Sequence, residues 1–200
     1  MDFVETLQSI NVVDILVILF LFGMFVLGYI QGTIRRLVGL LSVTFSFFLA
    51  ALLSVPVGEF LAANWTQYPT EYSVMIGFGV VFVAAVVAFA IVVQGTYQRQ
   101  ELFAKYPVID EVLGGILGVV QGAFLVGCLI VILDSYFLIP GAPTSGGELP
   151  FLRGFFDFYT DSGTAELFRT QLIPGFFNIF GILIPDNVQT FYTNPPTINS

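Results

Sequence analysis

Four stretches without a charged side chain, residues 15–34, 37–58, 72–98 and 112–133, constrain this chain more than any other feature. Each is long enough to cross a hydrocarbon core, which takes about 20 helical residues. The few basic residues fall between them. Arg35 and Arg36 separate the first two stretches, and Arg99 and Lys105 separate the last two. Only Arg153 and Arg169 lie elsewhere. Charged residues make up 10% of the chain and hydrophobic ones 56%, whereas soluble domains carry about 25% charged residues. A soluble fold this apolar would have no surface to show to water. The pattern therefore predicts an all-α, integral membrane four-helix bundle.

The spans are expected at about 11–34, 37–56, 73–96 and 110–138, within a transmembrane domain of residues 1–139. Asn11 and Asp14 suit the start of the first helix, as a polar cap and an acid in the first turn. Arg35 and Arg36 mark a very short connection, so the second helix must fold straight back. Pro56 and Gly58 are expected to end it. Residues 57–71 then form a loop with Trp65, Tyr68 and Glu59, aromatic and acidic as befits a headgroup layer. Cytoplasmic connections are enriched in Lys and Arg, which places Arg35, Arg36, Arg99 and Lys105 inside and both ends of the chain outside. In a bacterium with two membranes, that is the inner membrane with both ends in the periplasm. The acidic start, with Asp2 and Glu5, lacks the basic region of a secretory signal, so the first span is expected to stay as an anchor.

Residues 140–200 are a different material. A Pro-Gly-Ser-Thr linker over 140–147 leads into Phe-rich segments, Phe151 to Tyr159 and Phe176 to Phe180. Neither is long enough to span. Short aromatic helices of this kind lie in the interface or pack on the bundle, and the last fifteen residues read as a frayed end.

Composition also excludes chemistry. The net charge is −8 with no basic run, which argues against nucleic acid as a partner. There is no histidine, which removes Ser-His-Asp and Cys-His catalysis and histidine metal sites. The single cysteine, Cys128, lies inside the fourth stretch and reads as a small packing residue. No catalytic, cofactor-binding or metal-binding residue is assigned, and no cofactor is expected.

Small residues recur at helical spacing. Gly28 and Gly32 form one such stripe, and Gly114, Gly118 and Gly122 another. Residues four apart share a face and let a neighbouring backbone approach. Packing within the chain is the preferred reading, and a homo-oligomer interface is the alternative. Three polar residues stand out. Gln121 lies roughly 15 Å along the fourth helix, where an amide needs a partner, so interhelical hydrogen bonding is preferred over a point on a solute path. Asp14 and Asp134 fall at the outer helix ends. Two solvated acids are the preferred reading, and a shared proton or cation site is the alternative.

The arrangement resembles the bacterial colicin V production protein family, the CvpA family. The resemblance rests on Asn11, Val12, Val13 and Asp14, on Gly28, Gly32, Arg35 and Arg36, on Asp110 followed by Gly114, Gly115, Gly118 and Gly122, and on Asp134 with Ser135. It implies a small inner-membrane protein with four spans, tied to colicin V production or export. Larger relatives carry a trypsin-like protease domain after the four helices. With no histidine here, that activity does not carry over. Two departures stand out: Glu111 and Gln121 occupy positions where relatives often carry a basic residue. The preferred reading is a non-enzymatic scaffold of this type, whose tail, rich in Phe and acids, meets an envelope or periplasmic partner beside the lipid bilayer. A small transporter or channel acting as an oligomer is the alternative.

Overall fold

A computed structural model of the protein describes residues 11–96, 107–139 and 147–180. Arg99, Lys105, most of the Pro-Gly-Ser-Thr linker and the expected frayed end lie outside the described residues. Among those described the regular structure is entirely helical: α1 (Val12–Gln31), α2 (Thr33–Asn64), α3 (Thr70–Thr96), α4 (Pro107–Phe137), α5 (Pro150–Thr160), α6 (Gly163–Leu167), a π-helical turn (Phe168–Leu172) and α7 (Ile173–Phe180). The first four are long and apolar enough to cross a membrane. Their large side chains are widely exposed, as with Ile18, Leu19 and Phe22 of α1. In water such a surface would drive aggregation; in a bilayer it is solvated by lipid.

Two boundaries differ from the sequence expectation. The link between α1 and α2 is Gly32 alone, at φ 80°, a left-handed value that favours glycine. Its N–H donates to the Gly28 carbonyl at 3.0 Å and closes α1. Arg35 and Arg36 therefore sit in the first turn of α2, not in a connection. The second helix also does not end at Pro56 but runs on to Asn64. Proline costs a backbone hydrogen bond, yet membrane helices tolerate it when neighbours support the segment. The support here is close packing: a Cβ on Gly77 of α3 would lie 2.9 Å from the Gly58 nitrogen and 3.2 Å from the Ser54 carbonyl oxygen of α2. The expected 57–71 loop shrinks to residues 65–69, where the Tyr68 N–H donates to the Trp65 carbonyl.

The chain divides into two compact units. In the first, residues up to Ser46 and Ala84–Val126, α1 packs on α4 through glycine. A Cβ on Gly114 would lie 2.6 Å from the Gly28 carbonyl oxygen and 2.7 Å from the Gly32 carbonyl carbon. Gly118 faces the Met24 backbone, and Gly122 faces Leu21 and Met24. As α4 advances its contacts on α1 recede, so the two helices are antiparallel. The α2 contacts advance with α4, from Thr33 Oγ1 on the Asp110 carbonyl (2.8 Å) to Arg36 on Gln121 (3.0 Å). Helices α1 and α2 are thus a hairpin.

The second unit comprises Phe47–Val83 and the chain from Gly127 onward. Its centre is aromatic. Phe47 meets Phe78, and Tyr72 meets Tyr136 edge-on with centroids 5.0 Å apart. The tail helices fold onto this centre. Phe156 of α5 packs on Phe137 at 4.7 Å, and Phe176 of α7 packs on Phe47 and Phe48. Among the described residues the short tail helices thus pack on the spanning helices.

Candidate functional site

The end of α4 carries Asp134, whose carboxylate is 0% exposed. An acid in the last turn of a helix is opposed by the helix dipole, and a buried one also loses its water. Both penalties are met from the tail. Arg169, on the π-helical turn, donates from Nη2 to Oδ1 at 2.6 Å and from Nε to Oδ2 at 2.9 Å, a bidentate pair. Tyr159 of α5 donates its hydroxyl to Oδ1 at 3.1 Å. Arg169 Nη1 turns to Thr160, donating to Oγ1 at 2.9 Å. The guanidinium also lies 5.5 Å from the Tyr159 ring centroid and 5.7 Å from that of Phe156, within cation–π range. Burial first, and the Asp134 charge second, push the Tyr159 hydroxyl well above the ordinary phenol range, so it acts as a proton donor throughout. A solvated Asp134 is therefore corrected: its oxygens are engaged by Arg169 and Tyr159. Asp14 lies in the other unit, in the first turn of α1.

A second pair repeats the chemistry. Glu148, just before α5, accepts from Arg153 at 2.8 Å (Nε to Oε2) and 2.7 Å (Nη2 to Oε1), and from the Tyr136 hydroxyl at 3.0 Å. Arg153 stacks on Phe137 at 4.6 Å. The Arg153 hydrogen bonds hold the Glu148 carboxyl below the usual carboxylate range, and the same contact raises Arg153. Beside it, the Leu149 N–H donates to the Tyr72 hydroxyl at 3.0 Å. Arg153 and Arg169, the two basic residues outside the interhelical positions, are thus both used to hold the tail on the helix ends. Their isolation in an otherwise acidic tail was the sequence signal for this role; Glu148 lies five residues before Arg153, whereas Asp134 lies 35 residues before Arg169.

The remaining sequence candidates gather in the first unit. Arg36 is 6% exposed and donates from Nη1 to Oε1 of Gln121. Gln121 therefore hydrogen-bonds a guanidinium of α2. Gly28, Gly32, Gly114, Gly118 and Gly122 all lie along the α1–α4 contact described above. Among the described residues no group of His, Cys, Asp and Glu is arranged to hold a metal, and Cys128 is buried.

The model of the Colicin V production protein family matches residues 13–169. The chain belongs to the Colicin V production protein family. The match runs from the first turn of α1 through all four spans and ends on Arg169, the residue that closes the Asp134 pair. As a family member with four membrane-crossing helices, it is a multi-pass membrane protein. Neither curated proteins nor solved structures gave a significant match.

Proposed function

We propose that this family member is a non-enzymatic scaffold of the bacterial inner membrane that supports colicin V or toxin production and export through a tail held at the outer surface. The observation that carries this reading is the way α5 is mounted. Two Arg–carboxylate pairs fix its surroundings, while Phe151, Phe155 and Phe158 remain 68%, 41% and 48% exposed. Residues spaced by four and three share one helix face, so α5 presents an ordered aromatic ridge. Rigid aromatic side chains with little entropy to lose make good anchors for a partner. The basic residues Arg35 and Arg36 orient the hairpin with its turn inside, which puts the far end of α4 and the tail outside. The transporter alternative is weakened by Gln121, whose carbonyl is already engaged by Arg36.

The test is toxin export by cells carrying either the natural chain or a Phe151→Ser, Phe155→Ser, Phe158→Ser triple variant. Export that falls with the variant, at equal protein level in the membrane, supports the scaffold. Undiminished export removes the ridge from the account.

A further inference from the structure

The first unit contains a cavity of about 250 Å³ that the scaffold reading does not use. Its polar wall is Arg35, Arg36, Gln31 and Gln121; its apolar wall includes Val86 and Phe89. Among the described residues no carboxylate lines it. Arg36 is the unusual member. A guanidinium this buried is ordinarily paired with an acid, yet the ion pairs formed among the described residues are those of Arg153 and Arg169. Among the described residues Arg36 has only the neutral Gln121 oxygen, and its buried Nε meets no acceptor. Because the Gln121 oxygen already accepts from Arg36, the amide's own N–H groups remain as donors. Gly39 leaves room for that amide: a Cβ there would lie 3.0 Å from Gln121 Nε2. Ser42 spends its proton on the Val38 carbonyl at 2.8 Å. Among the described residues the wall thus presents two positive charges and spare donors, with no carboxylate to satisfy them.

We propose that this cavity binds a phosphate-bearing anion, with Arg36 and Arg35 as the charge partners and the Gln121 amide as a neutral donor. Arginine forks match phosphate oxygens. The volume lies below the roughly 300–1,000 Å³ of pockets that enclose a drug-sized ligand, so the cavity takes a head group and leaves any acyl chains outside. A net-negative phosphodiester is preferred over a zwitterionic one, because among the described residues no carboxylate lines the cavity to receive an ammonium. Two sources carry the right chemistry, an anionic lipid of the inner leaflet or free phosphate.

The test uses the full chain purified in detergent, with native mass spectrometry and titration of phosphatidylglycerol, phosphatidylethanolamine and inorganic phosphate. Preference for phosphatidylglycerol over phosphatidylethanolamine by about tenfold, the scale of one charge-assisted contact, is expected, with one lipid bound per chain. Arg36→Gln abolishes that preference. Gly39→Ala, which keeps both arginines and displaces only the amide, reduces it and keeps the assay decisive if Arg36→Gln does not fold. Tight binding of inorganic phosphate that displaces the lipid assigns the site to the free ion. Equal retention of the two lipids without phosphate binding overturns the proposal, as does an unchanged preference in a folded Arg36→Gln protein.

Discussion

Replacing Arg169 with leucine isolates the contact on which the mounting of the tail depends. The substitution keeps an apolar stem but removes the bidentate partner of a carboxylate that is 0% exposed. The Tyr159 hydroxyl would still donate to Asp134. Breaking a buried ion pair by removing one partner costs about 3–5 kcal/mol, because the other charge loses its counter-charge without regaining water. At about 1.4 kcal/mol per tenfold, the equilibrium between docked and undocked tail moves by about a hundredfold to a few thousandfold. Proteolysis reads this directly. Opening that is fast relative to cleavage makes the cleavage rate proportional to the open population, so chymotrypsin should cut near Phe156 and Tyr159 faster by that factor in detergent. The double variant Asp134→Leu, Arg169→Leu removes both charges and should recover much of the protection, since apolar replacement of a whole buried pair is often neutral. A single variant as protected as the natural chain, or a double variant no better protected than the single, would refute the reasoning.

Other consequences are equally specific. Gly114→Ala places a methyl 2.6 Å from the Gly28 carbonyl oxygen and should lower the melting temperature in detergent by forcing α1 and α4 apart, at about 1–3 kcal/mol; Gly23→Ala, with nothing within 4 Å, should leave it unchanged or raise it. Glu148 has its carboxyl lowered by Arg153, so its contribution is present above the unfolded value of about 4.3 and is lost as pH falls through the folded one; tail protection should decline in acid below about pH 4, and less so in Glu148→Gln. Tyr159 is raised, so its contribution is complete below the unfolded value of about 10 and is lost as pH rises above it; protection measured across the alkaline range should fall there and persist in Tyr159→Phe. In a Cys128→Ala background, a cysteine placed at Phe155 should react with a membrane-impermeant maleimide on intact spheroplasts, and one placed at Arg35 should not.

The four spans were legible because a bilayer leaves a coarse signature, long uncharged runs broken by a few charges. The glycine stripes were legible as faces because helical spacing repeats every fourth residue, although a stripe does not name its partner. The α1–α2 link was misplaced because two arginines look like a loop; Gly32 alone, through its left-handed φ, makes the turn. The run of α2 past Pro56 was hidden because proline was weighed by its cost in water, while Gly77 of α3, packed against Gly58, supports the helix from outside its own sequence. Asp134 carried a warning, an acid at the unfavourable end of a helix. Its answer lay 35 residues away in Arg169, a separation that no local pattern bridges. Arg36 stayed hidden for a similar reason: a basic residue after a span reads as a topology signal, and only the packing of α2 beside α4 buries it.

Photo-crosslinking in living cells from position 155, on the exposed face of α5, tests the central claim most directly. A photoreactive residue there should capture a defined envelope or periplasmic protein, and the same crosslink should weaken when Arg169→Leu releases the tail. Capture of cytoplasmic proteins would contradict the orientation, and crosslinks to lipid alone would contradict the scaffold.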